Sequence, residues 1–161
     1  MKKYLVIGNP IEHSLSPELH NYWIKTNMIK ATYGKMKITN DQIKNLILEI
    51  KSGKINGLNI TVPFKQEVIS HLDDLSEEAK KTQSVNTILL KDDKAIGHNT
   101  DIEGFEYSIK FNKIDLKNKN VFIVGAGGVV PSIIYALNRM QVSNITISNR
   151  TKNKAENLKN L

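Results

Sequence analysis

Apolar positions along this chain switch between short continuous runs and a three-to-four-residue spacing, so strands and helices are expected to alternate, the pattern of an α/β protein. Tyr4–Gly8 is a short apolar strand, closed by Gly8-Asn9-Pro10. Ser16-Pro17-Glu18 opens a helix, with serine as its cap and proline inside the first turn; Leu19, Tyr22 and Trp23 fall on one helical face. Ala31–Ile38 alternates like a strand, and Asn40 caps a helix carrying Ile43, Leu46, Ile47 and Ile50 at i, i+3, i+4 and i+7, ended by Ser52-Gly53. Gly57–Val62 is a strand halted by Pro63, followed by helices over 64–71 and 76–81. Ser84–Lys91 and Ala95–Asn99, joined by Asp92-Asp93-Lys94, form a hairpin. Thr100 caps a helix over 101–111, and the polar stretch 112–120 is a connector. Beyond it the pattern predicts a strand (Val121–Gly125), a glycine turn, a helix to Met140, a strand (Asn144–Ser148) and a helix to Leu161.

Composition narrows the chemistry. The 161 residues contain no cysteine, which excludes disulfides, thiolate metal sites and a cysteine nucleophile. A formal charge of +7 invites a nucleic-acid reading, but 21 of the 23 basic residues are lysine. Isoleucine (21) and asparagine (18) are comparably abundant, so the lysines reflect a residue bias. They are also spread along the chain rather than clustered with aromatics, so no nucleic-acid partner is expected. The uncharged stretch Val121–Asn138 is broken by three glycines and a proline, reading as a buried strand–turn–helix rather than a membrane span. No signal segment is visible, and a soluble cytoplasmic protein is expected. His13, His20, His71 and His98 show no metal-ligand spacing, so no metal is expected.

Val121-Phe122-Ile123-Val124-Gly125-Ala126-Gly127-Gly128 is a strand running into glycines that open a helix. Glycines allow close backbone approach to a pyrophosphate, and the helix N-terminus supplies free N–H groups and a positive dipole end. The third fingerprint position is Val130 rather than glycine or alanine, implying a wider helix–strand contact. An NAD-binding unit places a carboxylate about 20 residues further on for the ribose 2′-hydroxyl. Here Ser148-Asn149-Arg150-Thr151 stands at that point, with Lys152 and Lys154 behind it. A guanidinium suits a 2′-phosphate, which favours NADP(H) over NAD(H); the alternative leaves Arg150 in a solvated loop.

Small polar clusters follow the strands of the first hundred residues: Ser14-Leu15-Ser16, then Asn59-Ile60-Thr61-Val62-Pro63-Phe64-Lys65, then Ser84-Val85-Asn86-Thr87 leading to Gly97-His98-Asn99-Thr100-Asp101. Strand ends are where α/β folds put ligands. Together with the glycine turn, and from Gly8-Asn9-Pro10-Ile11-Glu12-His13-Ser14-Leu15-Ser16-Pro17 to Asn149-Arg150-Thr151, the chain resembles shikimate dehydrogenase. The resemblance implies an N-terminal α/β substrate-binding domain (1–101), a connecting helix and linker (102–118) and an incomplete Rossmann-type nucleotide domain (119–161). It implies NADPH-dependent reduction of 3-dehydroshikimate to shikimate, in aromatic amino-acid biosynthesis. Ser14 and Ser16 match the pair that holds the substrate carboxylate, Lys65 and Asp101 the catalytic pair, and Thr61 and Asn86 the residues on the ring hydroxyls, with Asn59 beside them. Gly125, Ala126, Gly127, Gly128 and Val129 match the pyrophosphate loop, and Asn149, Arg150, Thr151 and Lys154 the 2′-phosphate site.

Two other readings stay open: a quinate/shikimate dehydrogenase using NAD(H), and a non-catalytic shikimate-binding module. The second follows from length. A complete doubly wound nucleotide domain has two halves, and this chain carries one strand–helix–strand unit and a further helix with Ala155, Leu158 and Leu161 on an apolar edge. A fragment of reduced activity, self-associating as a homodimer through that exposed half-domain face, is the expectation.

Overall fold

The computed structural model describes residues 1–159. A six-stranded mixed sheet comprises β1 (Lys2–Gly8), β2 (Ala31–Lys37), β3 (Gly57–Ile60), β4 (Asp74–Leu75), β5 (Thr87–Lys91) and β6 (Lys94–His98), in the order β2-β1-β3-β5-β6-β4. β1 pairs in parallel with β2 and β3; β5 runs antiparallel to β3 and β6. A second, two-stranded parallel sheet joins β7 (Asn120–Val124) to β8 (Asn144–Ser148). The helices are α1 (Ser16–Thr26), α2 (Ile43–Lys51), α3 (Glu77–Thr82), α4 (Asp101–Phe111), α5 (Val130–Arg139) and α6 (Lys152–Glu156). No helix among the described residues is long and apolar enough to cross a membrane; Val121–Asn138 is strand, turn and helix, but only the helix is buried, since Phe122 and Val124 of the strand are exposed.

Successive side chains of β1 point to opposite faces. Leu5 and Ile7 join the main core with Ile43, Leu46, Ile47 and Ile50, the spacing that predicted α2. Val6 faces the other way, with Ile11 and Tyr33. That second face is thinly covered. Leu19, Tyr22 and Trp23 of α1 are exposed, so the expected apolar stripe is not core. α1 is instead pinned by Asn21, whose amide donates to the Tyr33 carbonyl (2.7 Å) and accepts from the Tyr33 N–H (3.0 Å).

Several boundaries differ from the sequence pattern. Leu15 occupies the cap position of α1, so Ser16 is its first helical residue. Thr39, not Asn40, begins the next element: its backbone is extended, the Gln42 side chain reaches back to its N–H (2.9 Å), and a 3-10 turn (Asn40–Gln42) precedes α2. β3 stops at Ile60, ahead of Thr61 and Val62. The helix expected over 64–71 is a series of turns ending in a 3-10 segment, Glu67–His71, because so short a stretch barely offsets helix nucleation. Its apolar anchors Phe64 and Val68 are nevertheless buried. The hairpin turn has only two residues, Asp92 and Asp93, both left-handed (φ 51° and 59°), with Lys94 already paired in β6. β4 has no periodicity to betray it. The expected last helix is short, and its predicted end at Leu161 lies outside the described residues.

Gly97 shows how tightly β6 is packed. A Cβ there would lie 2.6 Å from Leu72, 2.8 Å from Leu75 and 2.9 Å from Val85. Gly97→Ala is expected to cost about 1–3 kcal/mol by overpacking, read as a lower urea midpoint with unchanged slope.

Candidate active site

The loops that follow β1, β3 and β6 converge with the loop that leads into the antiparallel β5. Gly8 closes β1 where no side chain fits: a Cβ would meet Thr61 at 2.6 Å and the Val62 carbonyl at 3.1 Å. The loop beyond it, with Ser14, Ser16 and His13, lines a hollow of about 270 Å³ together with Thr61. Ser14 Oγ accepts from the Ser16 N–H at 3.3 Å. Glu12 braces the loop, its carboxylate accepting from the Ile11 N–H (3.0 Å) and Lys37 (3.2 Å), while Lys35 donates to its carbonyl. The backbone N–H groups of Glu12 and Ile11, then Lys37, hold the Glu12 carboxyl down at about 2.

Lys65, in the turn after β3, and Asp101, opening α4, are 36 residues apart in sequence and pair at 2.6 Å. Their side chains are only 12% and 23% exposed. Asp101 Oδ2 accepts from Lys65, and its Oδ1 accepts from Asn86 Nδ2 at 2.9 Å. Asn86 Oδ1 accepts from the Thr100 N–H (2.9 Å) and from Thr87 Oγ1 (3.1 Å). Asn59 Nδ2 in turn donates to Thr87 Oγ1 (3.0 Å) and the Asn86 carbonyl (3.3 Å). Thr100, expected as a helix cap, has helical backbone and no capping side-chain bond, since its hydroxyl is engaged with Asn86. The first N–H of α4, that of Asp101, is taken by Asn99 Oδ1 at 3.0 Å.

The glycine turn meets this cluster across a cleft of about 520 Å³, lined by Lys65, Ala126, Gly127, Gly128 and Lys154 among others. Gly125 has φ +112°, and a Cβ added at Gly125 or Gly127 would meet nothing within 4 Å, so the turn presents open backbone at the start of α5. A Cβ at Gly128 would come within 4.0 Å of the Lys65 side chain. Val129 stands at the α5 cap position, and Val130, at the third fingerprint position, is buried. Asn149, Arg150 and Thr151 lie beyond β8 and do not line this cleft. The Asn149 amide donates to the Thr151 carbonyl (2.8 Å), and Arg150 is exposed with no ion pair among the described residues.

Comparison with known proteins identifies the family. A family model described as shikimate dehydrogenase substrate binding domain matches residues 6–88. A second, described as shikimate / quinate 5-dehydrogenase, matches residues 108–161. The chain belongs to the shikimate dehydrogenase family. It is 58% identical over 158 residues to the shikimate dehydrogenase (NADP(+)) of Pelagibacter ubique, covering 98% of this chain and 60% of that relative. Among solved structures it is similar to shikimate dehydrogenase from Aquifex aeolicus (TM-score 0.91, 39% identity, 98% of this chain and 59% of that one). It is also similar to shikimate 5-dehydrogenase from Thermus thermophilus in complex with NADP(H) and shikimate (TM-score 0.88, 30% identity, 98% and 59%). The chain thus spans about 60% of the length of the relatives it matches. The mixed α/β fold, a substrate-side sheet followed by a Rossmann-like βαβ unit, is that of the shikimate dehydrogenases.

Residue pattern alone passed over four side chains in this neighbourhood. Thr87 and Thr100 bracket Asn86, Asn99 holds the start of α4, and Tyr33 reaches Asn59 from β2. Three of them stand inside the polar clusters quoted above, which is a usable signal. Tyr33 has none, because strand alternation says which face it takes but not what its hydroxyl meets.

Proposed function

We propose that the chain carries the substrate site and the first part of the cofactor site of an NADP-dependent shikimate dehydrogenase, reducing 3-dehydroshikimate to shikimate. In this reading residues 1–101 bind the substrate, 102–118 connect, and 119–161 begin the NADP-binding domain. The observation that carries it is the Lys65–Asp101 pair at 2.6 Å, whose Lys65 lines a cleft with the glycine turn as its other wall. The residues fit a dinucleotide: open backbone at the glycines, a ten-residue helix behind them, and Lys154 lining the same cleft. Bound NADPH supplies a hydride to the substrate ketone. Negative charge then builds on the carbonyl oxygen, and the Lys65 ammonium donates the proton that neutralises it. Asp101 aims Lys65 and accepts from the neighbouring ring hydroxyl. Asn86, Asn59 and Thr61 supply further polar groups along the ring, and the Ser14 and Ser16 hydroxyls donate to the carboxylate.

The deciding experiment follows NADPH oxidation with 3-dehydroshikimate by this chain and by its Lys65→Ala variant, repeated with NADH and with 3-dehydroquinate. Lys65-dependent turnover that prefers NADPH and dehydroshikimate is the expected result. A preference for NADH and the quinate series would overturn the assignment in favour of the quinate reading. Shikimate binding without turnover would leave the chain as a binding module. The cofactor preference has its own test. Arg150→Gln is expected to weaken NADP+ binding by about 10- to 100-fold, the worth of charge-assisted bonds to a phosphate, and NAD+ binding by less than about twofold. Equal losses for both cofactors would place Arg150 away from the 2′-phosphate.

A further inference from the structure

The hydrogen bonds running from β2 to the Lys65–Asp101 pair share one direction, and backbone groups fix it. The Asn86 carbonyl can only accept, so the Asn59 group facing it at 3.3 Å is the amide nitrogen and Asn59 Oδ1 points the other way. There it accepts from the Tyr33 hydroxyl at 2.7 Å. The Thr100 N–H can only donate, so the Asn86 atom facing it at 2.9 Å is Oδ1 and its nitrogen faces Asp101. Thr87 lies between the two amides, accepting from Asn59 Nδ2 and donating to Asn86 Oδ1. Every donor from Tyr33 onward therefore points toward the Asp101 carboxylate, and each bond polarises the next.

Tyr33 is built to hold this end. It is 6% exposed, its ring stacks on His20 (centroids 4.1 Å apart, 3° between planes), and Asn21 clamps its backbone from α1. Burial pushes its hydroxyl up to about 12 and keeps His20 below its ordinary value, so the phenol remains a donor beside an uncharged ring at neutral pH.

We propose that Tyr33 is a positioning residue: the backbone selects which way the Asn59 and Asn86 amides face, and Tyr33, through Asn59 and Thr87, holds the Asn86 amide in that place, and so the orientation of Asp101 toward Lys65 and the substrate. Tyr33 itself touches neither group. The proposal rests on the reading of Lys65–Asp101 as the acid–base pair and of Asn59 and Asn86 as substrate contacts.

The test uses the full chain labelled with 15N, without ligand and then titrated with shikimate. Tyr33→Phe removes one oxygen and keeps the stacked ring; Thr87→Val breaks the middle of the relay, and Thr87→Ser keeps its hydroxyl. Tyr33→Phe and Thr87→Val are expected to move the Asn86 side-chain amide signals and to weaken shikimate binding by about 5- to 10-fold. Thr87→Ser should stay within about twofold of the parent chain. Amide shifts confined to Asn59 in Tyr33→Phe, with Asn86 unmoved in both disrupting variants, would overturn the relay. If the parent chain fails to bind shikimate, the functional reading fails, while the ligand-free Asn86 signals still decide the relay.

Discussion

Lys65→Met is expected to lower NADPH-dependent reduction of 3-dehydroshikimate by about 1,000-fold, within the range for loss of a positioned proton donor. The Lys65 side chain is only 12% exposed and its Nζ lies 2.6 Å from Asp101, so methionine can fill the space of its apolar stem while removing the ammonium. The fold should survive. Asp101 keeps the Asn86 amide on Oδ1, and its own N–H keeps Asn99. The charge left behind is partly solvated, which limits the cost to about 1 kcal/mol. Substrate affinity is expected to fall far less than kcat, because the ammonium matters most when charge has built on the carbonyl oxygen. Stopped-flow turnover beside a urea titration separates the two effects. A variant retaining a tenth or more of parental kcat would show that Lys65 is not the proton donor, and a collapse of the urea midpoint would make its role structural.

What could be read from residue order alone divides along the range of the interactions involved. Ile43, Leu46, Ile47 and Ile50 announce α2 because a helix face is a local periodicity, and all four are buried. The glycines after β7 mark a strand-to-helix turn for the same reason. Lys65 and Asp101 carry no local mark. Their pairing across 36 residues follows from the order of β3, β5 and β6 in the sheet, and only family likeness pointed to it. The errors have the same origin. Leu19, Tyr22 and Trp23 form a faultless helical stripe, yet no part of the described fold packs over it closely enough to bury it. Ser16 and Thr100 are good caps by type, but Leu15 holds the first cap position and Asn86 engages the Thr100 hydroxyl. Side chains with two candidate partners are decided by tertiary geometry, which periodicity does not encode.

Asn99 carries the largest stability effect. It is 5% exposed, and its amide nitrogen faces Thr82 Oγ1 (3.0 Å), the Ser84 carbonyl (3.0 Å) and Ser132 Oγ (2.8 Å). Its oxygen takes the Asp101 N–H, and Ser84 Oγ donates onward to the Gly128 carbonyl at 3.2 Å. One side chain thus ties the start of α4, the loop before β5 and helix α5 with its glycine turn. Asn99→Leu fills nearly the same volume, excludes water and leaves a carbonyl, an N–H and the Ser132 hydroxyl short of partners. At about 1 kcal/mol or more each, the loss is about 3–5 kcal/mol, a large share of an ordinary domain's stability. Asn99→Asp adds a pH signature. An aspartate facing the Ser84 carbonyl is favoured when protonated, because only the neutral acid can donate there. Its folded-state value is therefore raised above the unfolded one, near 3.9. The deficit relative to the parent chain should be small below that value and widen as pH rises past it. Urea midpoints at pH 4 and pH 7 test both variants. A deficit under about 1 kcal/mol for Asn99→Leu, or one for Asn99→Asp that does not grow with pH, would mean that this buried amide does not hold the glycine turn against the Lys65–Asp101 pair.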